Sequence, residues 1–185
     1  MLSAIKLSIG NPSKRSLLMN LKRLTTLSVF TVVALNIFIL ESAIPNSVPI
    51  PGIKLGLSNI VTLILLLNFT PADAFIVLLA RIFLSAFFAG QAVSLIYSLC
   101  GGLFCFLIMC LLNRFLNGHF IFITSIFGAL LHNAGQLGAA FLITRNVGVL
   151  AYLPFLVLSG TITGLFTGLC AHYAQKYLLP PIPRS

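Results

Sequence analysis

An all-α bundle of about six membrane-spanning helices is the fold this sequence predicts, and three observations carry the prediction. Of its 185 residues, 59% are hydrophobic and 7% charged, and the mean hydropathy is +1.11; a water-soluble domain of this size does not carry such a composition. The apolar residues fall into six runs, about 24–40, 55–69, 72–88, 95–112, 120–143 and 147–174, and a helix needs roughly 20 apolar residues to cross a bilayer. Lysine and arginine are distributed unevenly between the connecting segments, as they are in polytopic proteins.

The first run follows a basic leader, residues 1–23, which holds five of the eleven Lys and Arg residues and suits contact with an anionic leaflet. It reaches Glu41 and Pro45 without a small-x-small cleavage pattern, so it is a span and not a cleaved signal. The second run is short. The third opens with Pro71 and Asp73, an N-terminal helix charge that complements the dipole. The fifth and sixth are long enough to tilt, and residues 176–185 form a tail behind a membrane domain of residues 24–175.

With the N-terminus inside, Lys6, Lys14, Arg15, Lys22, Arg23, Arg114, Lys176 and Arg184 are cytoplasmic, and Lys54 and Arg145 are outside. This distribution predicts cytoplasmic termini. The basic residues form no stripe interleaved with aromatics, which argues against a nucleic-acid partner. Cys100, Cys105, Cys110 and Cys170 lie inside apolar runs without a CxxC pair and read as packing residues. No metal-ligand cluster and no cofactor motif is present.

Polar residues inside the membrane are the candidate site, because a midplane charge facing lipid costs at least ~2.5 kcal/mol. Arg81 stands mid-run in LLARIFLSAFF and needs protein, water or a ligand as its partner; an internal ion pair with Glu41 is one way to satisfy it. In GALLHNAGQLGAA, His132 and Gln136 share a helix face, with Asn133 beside them and Gly128, Gly135 and Gly138 thinning the helix. Interhelical hydrogen bonding would explain that notch, and so would a cavity wall. The predicted topology brings Glu41, Lys54, Asn59, Gln91, Tyr97, Arg81, His132 and Gln136 toward the outer half of the bundle.

Between Glu41 and Asn59, the prolines of PNSVPIPG predict a stiff lid. The helix start at Gly56 and Ser58 would aim free backbone N–H groups beneath it. With Lys54 and Arg81 nearby, the favoured guest is a small anionic or amphipathic compound. In the sixth run Gly160, Gly164 and Gly168 make a small-residue face, suited to tight packing within the bundle or to docking another subunit.

The stretches ESAIPNSVPIPGIKLGLSNIVTL, LLARIF, YSLCGG and GALLHNAGQLGAA together resemble a bacterial membrane family, heptaprenyl diphosphate synthase component I, also called the Gx transporter family, over about residues 22–175. Its six-helix plan is similar to the substrate-binding S components of energy-coupling factor (ECF) transporters. The resemblance implies a site in the bacterial cytoplasmic membrane, a loop that closes over a ligand bound from outside, and work with a coupling subunit and two ATPases. Two departures stand out. S components commonly dock through small residues spaced four apart on the first helix, where this chain has Ser28, Val32 and Asn36. Prenyl chain elongation needs DDxxD motifs to hold Mg²⁺, whereas this chain has one Asp and one Glu.

Three functions therefore stand side by side. The first is a transporter's substrate-binding subunit, with Lys54 and Arg81 countering the ligand's charge and His132, Asn133 and Gln136 bonding its polar atoms. The second is a non-catalytic accessory of prenyl diphosphate or quinone metabolism. The third is a structural subunit whose polar groups fix helix register. An enzyme remains open, since His132 is a possible base, but no nucleophile stands near it in sequence.

Overall fold

A computed structural model of the chain describes residues 12–43, 54–89, 92–116 and 120–177. The lid stretch PNSVPIPG and Gln91 lie outside the described residues, as do residues 1–11 of the leader and 178–185 of the tail. Among the described residues six α-helices follow one another: α1 Pro12–Ala43, α2 Asn59–Asn68, α3 Pro71–Ala89, α4 Ala92–Phe115, α5 Ile121–Thr144 and α6 Leu153–Tyr177. A 3₁₀ turn, Val147–Tyr152, leads into α6. Among the described residues there is no strand. The predicted all-α membrane bundle is the observed one.

Five of these helices are long and apolar enough to cross a membrane, and α2 is not. Its 10 residues rise about 15 Å, half of a roughly 30 Å hydrocarbon core. The sequence suggested a second span from residue 55; the structure instead has a non-helical segment and a turn at residues 54–58, and starts the helix at Asn59. Its sequence, NIVTLILLLN, is apolar around the whole circumference, and such a helix is stable only when surrounded. Val61 and Leu63 to Leu67 are all buried, and α2 packs against every other helix of the bundle.

Around this short axis the other helices divide unevenly. α4, α5 and α6 form a tightly packed layer, whereas among the described residues α1 touches only α2 and α3. The α5–α6 contact is close because Gly160, Gly164 and Gly168 face α5; a Cβ on Gly164 would stand 2.6 Å from Ile126 Cα. The Ser125 and Thr167 hydroxyls join across the same seam at 2.7 Å. That glycine face is therefore occupied within the chain, which removes it as a docking face for another subunit. On the opposite side of α5, a Cβ on Gly135 would meet the Cys100 carbonyl oxygen at 2.8 Å. Gly138, expected to thin the helix beside these, has nothing within 4 Å of its Cβ position.

The end of the bundle away from Glu41 is closed by Asp73. Thr70 and Asp73 form a capping box for α3: the Thr70 hydroxyl accepts from the Asp73 N–H, and the Asp73 carboxylate accepts from the Thr70 N–H and hydroxyl. Pro71 fills the first helical position, where no amide donor is needed. Arg23 of α1 then donates from Nε and a terminal nitrogen to the same carboxylate, at 2.9 and 2.6 Å. Asp73 thus serves as helix cap and as the tie that holds α1.

Replacing Gly164 with alanine is expected to push α6 off α5 and to lower stability by about 1–3 kcal/mol. Gly138→Ala, which meets open space, should be neutral or stabilising by up to about 1 kcal/mol. Thermal unfolding of the two detergent-solubilised variants measures the difference.

Candidate functional site

Residues 54–58, just before α2, lie in the bundle interior without helical structure, so side chains must satisfy their backbone. Glu41, near the end of α1, does most of this. Its carboxylate accepts from the Gly56 N–H at 2.6 Å and the Leu57 N–H at 3.1 Å. The helix-start amides that were expected to meet a guest are therefore already taken by a carboxylate 15 residues earlier in the chain. From α5, Gln136 Oε1 accepts from the Lys54 N–H at 3.1 Å. From α3, Arg81 donates to Ser58 Oγ at 2.5 Å and to Asn59 Oδ1 at 3.4 Å.

Arg81 is fully buried, yet no carboxylate lies within 4 Å of it; among the described residues the one ion pair is Arg23 with Asp73. The direct Glu41–Arg81 pair that would have satisfied the arginine is not formed, because Glu41 is bonded to backbone. Nor does Glu41 pair directly with Lys54. The Lys54 ammonium instead donates to Ser42 Oγ and lies over the Phe38 ring, 3.2 Å from its centroid. Half-burial pulls the Lys54 pKa down to about 8, with Glu41 acting to raise it and Arg81 to lower it.

His132 and Gln136 meet at 2.9 Å through their Nε2 atoms. Because Gln136 Oε1 is the acceptor for Lys54, its amide nitrogen donates here, and the neutral imidazole carries its proton on Nδ1. That Nδ1 lies against Gly101 of α4 and makes a loose hydrogen bond with the Gly101 backbone. Gly101 and Gly56 both owe their identity to this ring. A Cβ on Gly101 would come within 2.9 Å of it, and one on Gly56, whose φ is +81°, would come within 2.6 Å of His132 and 2.8 Å of the Asn59 amide nitrogen.

Among the described residues the cluster leaves two buried polar atoms without partners, Arg81 Nε and Asn59 Nδ2. Both are donors. Asn133, named with them from sequence, points elsewhere: its Nδ2 donates to the Leu156 carbonyl at the start of α6, at 2.8 Å. Tyr97 is buried in an apolar cluster with Leu137, Ala140 and Leu156 and does not join the site. The site thus brings together Glu41, Lys54, Asn59, Arg81, His132 and Gln136, and adds Ser58, Gly56 and Gly101. Ser58 carried a signal, since serine before an apolar helix reads as an N-cap, but its hydroxyl meets Arg81 and caps nothing.

The family model for heptaprenyl diphosphate synthase component I matches residues 30–174, a stretch that contains every member of this cluster. The chain belongs to the heptaprenyl diphosphate synthase component I family. No curated protein and no solved structure matches it. Within the family's matched region the sequence offers one Asp and one Glu, Asp73 and Glu41. They sit at separate places in the bundle, Asp73 bonded to Arg23 and Thr70 and Glu41 to Gly56 and Leu57. Among the described residues no three His, Cys, Asp or Glu side chains gather as a metal site would require. In this member of the heptaprenyl diphosphate synthase component I family, the buried polar cluster keeps two donors, Arg81 Nε and Asn59 Nδ2, without a partner among the described residues.

Gly56→Ala is expected to strain the positive φ and to displace the His132 ring, lowering stability by about 1–3 kcal/mol. Gly102→Ala, whose Cβ would meet Ile82 and Leu78 methyls at 3.0 and 3.3 Å, should cost less. Thermal unfolding of both variants provides the comparison, and equal losses would show that Gly56 is not specially constrained.

Proposed function

We propose that this protein is the substrate-binding membrane subunit of a transporter for a small anionic or amphipathic compound, working with an ATP-driven partner. One observation carries the reading: a fully buried guanidinium with no carboxylate in contact, beside a further unpartnered donor, Asn59 Nδ2, on α2. Register fixing explains a polar group whose bonds are complete, as those of Gln136 largely are; it does not explain two donors left open, since each is expensive in an apolar interior. A guest that supplies acceptors removes that cost. The positive-inside distribution supports cytoplasmic termini and a site that opens to the outer side.

The exposed face of α1 suits a partner. Ser28, Val32 and Asn36 are all exposed along it, and among the described residues α1 packs on α2 and α3 alone. Asn36 donates to the Val32 carbonyl of its own helix at 2.9 Å, so what this face offers a partner is its open, unpacked surface. The chain has no Walker motif of its own, so energy for uptake would come from an ATPase pair reached through a coupling subunit. The family's name favours a second reading, a membrane accessory that holds a prenyl diphosphate for a separate synthase.

Native mass spectrometry of the protein extracted from its own membrane should show a retained small molecule. Arg81→Ala and His132→Ala should each lower its affinity at least tenfold; folded variants with unchanged retention would count against the site. Copurifying ATPases support the transporter, and a copurifying prenyl synthase supports the accessory reading. Anion binding should also weaken as pH rises from 7 to 9, because the Lys54 ammonium, held near pKa 8 between Glu41 and Arg81, loses its proton in that interval. Isothermal titration across that range checks it, with Lys54→Met removing the dependence.

A further inference from the structure

We propose that the last two turns of α6 form a shelf that binds the headgroup of an anionic phospholipid. Gly164, Gly168 and Ala171 turn one side of this helix into the bundle, and the opposite side is exposed at intervals of three and four residues. From Ile162 through Leu165 and Phe166 to Leu169 that exposed stripe is wholly apolar. One turn later its chemistry changes on the same face, to His172, Tyr173, Lys176 and Tyr177. An apolar stripe suits acyl chains. Rings with a polar handle, beside a cation, suit the level of the headgroups.

The four side chains already stand together. The Tyr173 and Tyr177 rings stack with centroids 6.0 Å apart and planes 10° from parallel, and the Lys176 ammonium lies 5.1 Å from the Tyr177 centroid. His172 packs edge-on to Tyr173 at 5.9 Å, and also meets Phe122, at the start of α5, at 6.0 Å. An ammonium and two phenols are thus offered as donors over aromatic surface, which matches a phosphate carried on an apolar tail. Among the described residues no carboxylate competes for Lys176. Asp73 is bonded to Arg23 and Thr70, and Glu41 to Gly56 and Leu57.

Helix length places the other membrane boundary where a second change of structure occurs. Leu153 precedes Tyr173 by 20 residues, about 30 Å along the axis, which is the thickness of a hydrocarbon core. Just before Leu153 the chain is a 3₁₀ turn, Val147–Tyr152. Val147, Leu150 and Leu153 are exposed at every third residue, the repeat of such a turn, and exposed Arg145 precedes them. The α5–α6 hairpin therefore carries an amphipathic edge at both ends. Gln136 lies about 21 Å along α5 from Phe122, so the shelf is remote from the Arg81 cluster and stands whether or not that cluster binds a guest.

Two measurements on the full chain test the shelf. In the first, native mass spectrometry of the detergent-solubilised protein compares phosphatidylglycerol with phosphatidylcholine at equal concentration. Phosphatidylglycerol should be retained at least fivefold better, and Lys176→Gln combined with Tyr177→Leu should remove most of that preference. Arg114→Gln, on α4, should leave it in place. Equal retention of the two lipids, or a preference unchanged in the double variant, would overturn the proposal; so would a preference lost in Arg114→Gln alone. The second measurement uses the absence of tryptophan from the chain. Leu165→Trp and Tyr173→Trp, both at exposed positions, are placed in phosphatidylglycerol vesicles whose acyl chains are brominated deep in the bilayer. Leu165 lies about 12 Å further along the axis toward the bilayer centre, so its tryptophan should lose at least half its emission and that at Tyr173 less than a fifth. Equal quenching, or stronger quenching at Tyr173, shows that the end of α6 is not at headgroup level, and the shelf fails.

Discussion

Everything else in this bundle follows from the need to satisfy a stretch of non-helical backbone in the protein interior. Residues 54–58 have no helix to take up their amides, and hydrocarbon offers none. Glu41 from α1 and Gln136 from α5 supply the acceptors, and Arg81 from α3 bonds the side chains just beyond. Three helices are thereby fixed against the start of a fourth. The ten-residue α2 that results is apolar on every side and becomes the axis on which the other five pack.

The same arrangement explains why the arginine is left open. A guanidinium in such a place is commonly neutralised by the nearest carboxylate, and Glu41 is near enough to be felt electrostatically by Arg81. Glu41 is bonded elsewhere, however, so Arg81 keeps one donor unused inside the protein. A buried ionic group of this kind is poor evidence for stability, because desolvation costs about as much as the attraction returns.

Much of this was legible in the sequence, and the failures are instructive. Composition and the six apolar runs gave the membrane bundle, and the cost of charge in lipid singled out Arg81, His132 and Gln136. What periodicity could not show was that residues 54–58 would stay non-helical, because IKLGLSN is apolar enough to pass for the first turn of a span. Only Gly56 hinted at the turn, and its reason, a positive φ pressed against His132, is a tertiary one. Asn133 was assigned to the polar notch by adjacency, but one residue along a helix is about 100° of rotation, and that turns it toward α6. The glycines of α6 left two partners open, and the structure names α5, since a backbone distance of 2.6 Å is beyond what sequence spacing can choose between.

The grip of Glu41 on the Gly56 and Leu57 amides joins two places that are otherwise far apart in character. One end of the contact belongs to the polar cluster; the other belongs to α1, the helix with the fewest neighbours and the most open outer face. Whatever shifts the start of α2 shifts the residue that anchors α1 at that end, while Arg23 and Asp73 keep the opposite end in place like a pivot. By linkage, a molecule that binds one arrangement of the cluster and a protein that binds one arrangement of α1 must strengthen each other to the same degree when the two arrangements coincide. A single carboxylate is the shaft between them.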